Sequence, residues 1–225
     1  MSKNITLAFD VYGTLIDTNG VLVLLEQLIA DKAKSFSQTW REKQLEYSFR
    51  RAAMVNYVTF ATCTLYALEY TCKYYNVSLS KEQKDELMSI YKVLPAFDEV
   101  KEALTELKKD GFRIFAFSNG EKATLEKLLD NANIKDLFLG IVSVDDIKTF
   151  KPTPGAYAHF LRQADVKGEE AWLISSNSFD VTGSISAGMK SAWVQRSSDM
   201  IFDPWEIKPT LVVNSLLDFT KKIRD

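Results

Sequence analysis

Residues 5–17 read ITLAFDVYGTLID, and the fold turns on how this stretch is parsed. A run rich in Ile, Leu and Phe ends at a Gly–Thr pair, so residues 5–12 read as a buried strand closed by a turn. The strand delivers a single carboxylate, Asp10, near its mouth, and two places later stands Tyr12 instead of a second acid. A carboxylate at the carboxyl end of a strand suits a nucleophile, a general base or a metal ligand. Taken alone, Asp10 better suits a cap for the turn at Gly13, and it is the other strand ends that shift the reading.

Runs of the same kind recur as FRIFAFS (112–118), LGIVSV (139–144), AWLISS (171–176), SAWVQR (191–196) and TLVVN (210–214), separated by amphipathic or turn-rich sequence. Continuously apolar strands alternating with helices predict an α/β fold, a Rossmann-like parallel sheet covered on both faces. The interval from Thr18 to Ala96 is the exception. There VLVLLEQLIADKAKSF (21–36), QTWREKQLEYSFRRAAM (38–54), FATCTLYALEYTCKYY (60–75) and SKEQKDELMSIYKVL (80–94) carry helical spacing, the last opening on Ser80 and Gln83 as a capping box. The expected organisation is an α/β core of residues 1–14 and 97–225, with a helical cap subdomain of residues 15–96 inserted after the first strand.

Composition narrows the function. The chain has 225 residues, 46% hydrophobic and 26% charged, and no run approaches the ~18 apolar residues of a membrane span. With 28 basic and 30 acidic residues intermixed, for a net charge of -2, it offers no footprint for nucleic acid or anionic lipid. MSKNITLAFD lacks the features of a secretory leader, which makes the cytoplasm the default compartment. Cys63 and Cys72 read as buried thiols of one helix, too far apart for a disulfide. The single histidine, His159, sits in a helical pattern away from the strand ends, so hydrolytic chemistry here proceeds without the usual base.

In an open parallel sheet, ligands bind beyond the carboxyl ends of the strands. Asp10 and Thr14, Ser118 and Asn119, Lys151, and Ser175, Asn177 and Asp180 all fall at or after such ends. In that order FDVYGTL (9–15), FSNG (117–120), FKPTPGAY (150–157) and SSNSFDVTGSISAGM (175–189) resemble the four motifs of the haloacid dehalogenase superfamily. Within it they are similar to the L-2-haloacid dehalogenases. WREKQLEY (40–47) resembles the segment that carries a substrate-facing arginine, here Arg41.

Two positions separate this chain from the phosphatases of that superfamily. Those carry a second Asp where Tyr12 stands, to protonate a leaving alkoxide, and a phenol of pKa ~10 is a poor neutral-pH proton donor. They also place a magnesium-binding acid after the fourth strand, where Ser176 stands, and magnesium favours carboxylate oxygens. The resemblance therefore implies hydrolysis of a small halogenated carboxylic acid with no metal or other cofactor. Asp10 displaces halide from a short L-2-haloalkanoate, and water opens the resulting ester to a D-2-hydroxy acid.

The resemblance also distributes roles. Lys151 keeps Asp10 ionised; the alternative is a solvated loop lysine, for which FKPTP is a rigid setting. Thr14 and Ser175 orient the nucleophile, Asn177 and Asp180 handle the hydrolytic water, and Tyr157 is a further catalytic position. By composition Asp180 equally suits a helix N-cap. Ser118 and Asn119 seat the substrate carboxylate, while Arg41 and Asn119 face the halide; the alternative for Arg41 is a surface pair with Glu42 or Glu46. Tyr12, Leu45 and Phe60 suit either an apolar wall for the substrate's alkyl group or the core, and Val11 and Phe179 complete the substrate contacts, with Phe179 replacing the family's usual tryptophan and Glu42 a common glutamine that bears on the pocket. A phosphatase and a non-catalytic binding protein remain the rivals. A homodimer is left open, because the apolar residues of 53–75 suit either a cap–cap contact or the interior of the cap.

Overall fold

In the computed structural model, which describes residues 5–224, all six expected runs become strands of one parallel sheet. These are β1 (Thr6–Phe9), β2 (Arg113–Ser118), β3 (Gly140–Ser143), β4 (Ala171–Ser175), β5 (Lys190–Val194) and β6 (Leu211–Val213), in the order β3-β2-β1-β4-β5-β6. The leader reading and the outer limits of the expected core involve residues 1–4 and 225, which lie outside the described residues.

The apolar character of β1 is explained by burial on both faces. Leu7 and Phe9 join one cluster with Ile114, Ala116, Trp172 and Ile174. Ala8 points the other way, into a second cluster with Phe115, Phe117 and Leu173. Pairing ends at Phe9, opposite Ala116 on one side and Ile174 on the other. The expected strand is shortened because the chain folds back on itself: Leu15 and Ile16 both donate their N–H groups to the Val11 carbonyl. Gly13, at φ +81°, supplies the left-handed residue of this turn.

Four helices follow before the sheet resumes: α1 (Gly20–Ile29), α2 (Ala33–Ala53), α3 (Phe60–Tyr74) and α4 (Lys81–Ile90). Their boundaries correct the expected segments 21–36 and 38–54. The corner falls at Ala30–Lys32, and α2 absorbs residues 33–37 because Ala33, Phe36, Trp40, Gln44 and Ser48 form one buried stripe at helical spacing. The capping box opens α4, with Gln83 N–H donating to Ser80 Oγ at 3.2 Å and Ser80 N–H to Gln83 Oε1 at 2.8 Å. Of residues 53–75, Cys63, Ala67, Leu68 and Cys72 are buried in the interior of the helical segment, while Met54, Val55, Tyr66 and Tyr74 are exposed. Both cysteines are unpaired.

The remaining helices are α5 (Val100–Lys109), α6 (Lys122–Asn131), α7 (Pro154–Gln163), α8 (Ser178–Ser186) and α9 (Leu216–Lys222). His159 is buried in α7, with Nε2 3.6 Å from the Asp146 carboxylate. Among the described residues, no helix is long and apolar enough to cross a membrane.

The chain leaves β1 and returns to the sheet along two paired segments. Asp17 N–H donates to Pro95 O at 2.9 Å and Phe97 N–H to Leu15 O at 3.0 Å. Arg196 ties both together: it donates to the Thr14 carbonyl and the Glu99 carboxylate, with its guanidinium 4.0 Å from the centre of the Phe97 ring. Burial alone raises the Glu99 carboxyl, but Arg196 outweighs it and holds the group below its ordinary pKa. Arg196→Met leaves the Thr14 carbonyl without this donor and the Glu99 carboxylate with backbone donors only, such as Leu216 N–H at 3.5 Å, and urea unfolding is expected to register a loss of about 2–4 kcal/mol. An unchanged midpoint would remove Arg196 from this role.

Candidate active site

Strand β1 has β2 on one side and β4 on the other, and its neighbours on the two flanks are reached by chain running in opposite directions across the sheet. That reversal opens a crevice at the carboxyl ends. Asp10 lies one residue past the end of β1, its N–H donating to Ile174 O at 3.0 Å. Ser118 ends β2 and Ser175 ends β4, so the topology itself gathers three polar side chains that are far apart in sequence.

The two oxygens of Asp10 have unequal surroundings. Oδ2 accepts from Thr14 Oγ1 at 2.9 Å, Ser175 Oγ at 3.1 Å and Asn177 Nδ2 at 2.7 Å. Oδ1 accepts from Lys151 Nζ at 3.0 Å. The residues behind Asp10 are themselves held: Ser176 N–H donates to Thr14 Oγ1 at 2.9 Å, and Asn177 N–H donates to Ser175 Oγ at 3.0 Å.

Lys151 is buried, which sets aside the solvated-lysine alternative. Its ammonium donates to Asp10 Oδ1, to Phe117 O at 3.1 Å and to Asp180 Oδ2 at 2.5 Å, so all three N–H groups are used. Tyr157 donates to the other oxygen of Asp180 at 2.8 Å. Asp180 occupies the first turn of α8, where Asn177 takes the N-cap position and no side chain caps the helix, so the N-cap alternative for Asp180 does not hold.

One ammonium thus serves two buried carboxylates, and they respond differently. For Asp10, burial acts to raise the pKa, but Lys151 and the hydrogen bonds from Lys151, Asn177 and Thr14 outweigh it and leave the group below its ordinary value. For Asp180, burial dominates and the neighbouring Asp10 charge adds to it, so the carboxyl is pushed up from 3.8 to about 6 despite Lys151 and Tyr157. Burial lowers Lys151, but its two carboxylate partners more than reverse this, and it stays protonated.

Asp10 faces a small cavity of about 20 Å³ that the helical segment closes over. Tyr12, Leu45, Phe60 and Phe179 supply its apolar wall, and Arg41, Ser118, Asn119 and Asn177 its polar one. Ser118 Oγ accepts from Gly120 N–H at 3.2 Å. The Asn119 amide oxygen accepts the Lys151 N–H at 2.8 Å. Phe179 packs edge-on against Phe49, ring centres 5.0 Å apart. Burial raises the Tyr12 phenol well above its usual pKa, so it stays neutral.

Three expectations are corrected or left aside here. Arg41 does not pair with Glu42 or Glu46: it donates to Gln44 Oε1 at 2.6 Å and to Asn177 Oδ1 at 3.4 Å, while Glu46 pairs with Lys43 and Arg50 on the helix surface. Glu42 is exposed, accepts from Gln38, and takes no part in the pocket. Val11 buries its side chain in the core cluster and is not among the residues lining this cavity. Thr14, Ser175, Tyr157 and Asp180 also lie outside the lining, behind Asp10 and Lys151.

Gln44 is the residue that sequence reasoning passed over. It is buried, accepts from Arg41 and donates to Thr64 Oγ1 at 2.5 Å, and so braces the guanidinium. Its position three residues after Arg41 on α2 was the available signal.

The groups around Asp10 are an ammonium, two hydroxyls and an amide, all donating hydrogen bonds to the carboxylate. Ser176 directs its hydroxyl to Gly13 O at 2.7 Å. Among the described residues, no group of three or more His, Cys, Asp or Glu side chains is arranged to hold a metal ion.

Comparison with known proteins places this geometry. The family model for haloacid dehalogenase-like hydrolases matches residues 6–188. An (S)-2-haloacid dehalogenase of Pseudomonas fluorescens is 33% identical over 97% of this chain and 96% of its own. Haloacetate dehalogenase H-2 of Moraxella sp. (strain B) is 34% identical over 87% of this chain and 88% of its own. The structure of L-2-haloacid dehalogenase from Xanthobacter autotrophicus with chloropropionic acid covalently bound matches with a TM-score of 0.91 at 30% identity, covering 100% of this chain and 99% of its own. From the sheet order to the fourth strand end the resemblance spans the whole chain, which belongs to the haloacid dehalogenase-like hydrolases and, among them, to the L-2-haloacid dehalogenases.

Proposed function

We propose that the protein hydrolyses the carbon–halogen bond of short L-2-haloalkanoic acids, giving D-2-hydroxy acids through an ester on Asp10. The observation that carries this reading is the unequal solvation of the two Asp10 oxygens. Oδ1, with Lys151 as its one hydrogen-bond donor, keeps lone-pair density for attack on C2. Halide leaves from the opposite side of that carbon, which inverts it. The covalently bound chloropropionic acid of the Xanthobacter relative supports an intermediate of this kind.

The helices of residues 15–96 act as a cap over a core of residues 1–14 and 97–225, and shut water from the first step. Arg41, braced by Gln44, faces the departing halide with Asn177 and Asn119. A guanidinium suits this task because it is always charged and weakly hydrated. Halide departs as a stable anion, so no acid is needed where Tyr12 stands. Ser118 and Asn119 receive the substrate carboxylate.

In the second step water adds to Cγ of the ester and gives a proton to Asp180. Negative charge then develops on Oδ2, where Thr14, Ser175 and Asn177 already donate three hydrogen bonds, an arrangement that serves as an oxyanion hole. The Cγ–Oδ1 bond breaks. Lys151, 3.0 Å from Oδ1, protonates the departing alkoxide and recovers a proton from Asp180, 2.5 Å away. The product keeps Oδ1, the water oxygen stays on Asp10, and the net release is one proton and one halide. Tyr157 fixes Asp180 for this exchange.

The sign of the pH dependence follows from Asp180. Its carboxyl, pushed up to about 6, accepts a proton only when ionised, so kcat is expected to fall as pH drops through about 6. A kcat that stays flat to pH ~4 would remove Asp180 as the base.

The direct test compares halide release from L-2-chloropropionate with phosphate release from a panel of monoesters, with and without magnesium. Halide in equal amount with D-lactate, and no phosphate, is the expected result. Magnesium-dependent phosphate release without halide would replace this reading with the phosphatase one.

A further inference from the structure

The cavity against Asp10, at about 20 Å³, is roughly one water in volume, so seating any haloacid there displaces part of its wall and a longer alkyl chain displaces more. A second cavity of about 200 Å³ lies beside it. The two share Tyr12 and Phe60 as a common partition. The far side of the larger cavity is built by Ala61 and Thr64 of α3, Met88 and Tyr91 at the end of α4, and Gly120 and Thr124 beside and within α6. Lys92 and Glu121 are its charged members, and Gln44 connects it to the Asp10 side by accepting from Arg41.

The partition is made of aromatic contacts. Tyr12 and Phe60 have ring centres 6.4 Å apart, Tyr12 and Tyr91 6.3 Å, and Phe60 and Phe150 6.0 Å. Neither ring makes a side-chain hydrogen bond among the described residues, so displacing them breaks packing contacts only, whereas the groups around Asp10 belong to a buried hydrogen-bond network. With the substrate carboxylate at Ser118 and Asn119 and the halide at Arg41, as proposed above, the substituent on C2 is left to the apolar wall, of which Tyr12 and Phe60 are the part shared with the larger cavity.

We propose that this second cavity is the alkyl-chain site for 2-haloalkanoic acids longer than propionate, and that Tyr12 and Phe60 are the partition the chain displaces. The inference rests on the dehalogenase reading and adds to it a specificity determinant outside the Asp10 cavity. Saturated chains of about four to eight carbons are the ligand class, since a volume of about 200 Å³ takes several methylenes and the lining is chiefly apolar. Each methylene buried there is expected to raise kcat/KM about threefold to fourfold, until the space is filled.

The experiment measures halide release from the L-2-bromo derivatives of propionate, butanoate, hexanoate and octanoate. It uses the wild type, two variants that fill the second cavity, Met88→Trp and Thr124→Trp, and one that opens the partition, Phe60→Ala. Each filling variant is expected to keep propionate turnover within about twofold and to lose at least tenfold on hexanoate, while Phe60→Ala raises the hexanoate-to-propionate ratio. Propionate turnover reports that each filled variant is folded. A hexanoate-to-propionate ratio unmoved by both fillings, or wild-type enzyme that turns over propionate and not hexanoate, overturns the proposal. Absence of halide from every substrate with the wild type sinks the dehalogenase reading instead, and this proposal with it.

Discussion

Asp180→Asn is expected to expel one equivalent of halide per protein molecule and then stall, with the substrate's carbon skeleton esterified to Asp10. The amide keeps the size and most of the hydrogen bonding of the carboxylate but takes no proton from water. Displacement at C2 needs no base, so the first step survives. Loss of a positioned general base costs roughly 10²–10⁴ in rate, and the cost falls on ester opening alone. Mass spectrometry of the intact variant after brief exposure to L-2-chloropropionate should find the protein heavier by the propionate unit. Recovery of unmodified protein with normal turnover would take the base role away from Asp180.

Lys151→Met is expected to have the second large effect, on both activity and folding. One ammonium is shared by Asp10 and Asp180, 3.0 and 2.5 Å from their oxygens. Without it burial and mutual repulsion raise both carboxyls above their ordinary values. Asp10 then exists largely as a neutral, non-nucleophilic acid near neutral pH, and halide release should fall by about 10³ or more. The stability sign is the same. A carboxyl whose folded pKa lies above its unfolded one favours folding at low pH and loses that contribution as pH rises through the folded pKa. Relative to wild type, the variant should be less stable by about 3–5 kcal/mol near pH 8 and by less near pH 5. Urea unfolding at both values checks this; an equal deficit at both would mean that the lysine is not what keeps the two acids charged.

How far the site is legible in sequence depends on what fixes each part. Strands buried on both faces must be continuously apolar, so all six runs stand out, and with them the strand ends that carry Asp10, Ser118 and Ser175. The helical corner at Ala30–Lys32 is not legible, because apolar spacing continues across it and only the buried stripe from Ala33 to Ser48 decides where α2 begins. Arg41 has Glu42, Gln44 and Glu46 within reach along the chain. Charge favours the acids, but burial favours Gln44, and burial is a tertiary fact. Asp180 presents the same ambiguity, since its place in the first turn of α8 suits a cap, and only its tertiary partners Lys151 and Tyr157 show that its side chain turns inward. The second cavity has no sequence signature at all: it is the space left between α3, the end of α4 and α6, beyond two aromatic rings whose sequence positions are 12 and 60.

The account turns on a covalent bond to Asp10, and heavy-oxygen water reads that bond directly. With protein in excess over L-2-chloropropionate, one turnover in labelled water should leave the label in the Asp10 carboxylate and none in the lactate, because the water oxygen stays on Cγ. Label in the lactate with unlabelled Asp10 would mean that water attacks C2 itself, and would contradict the ester mechanism from which every role assigned above follows.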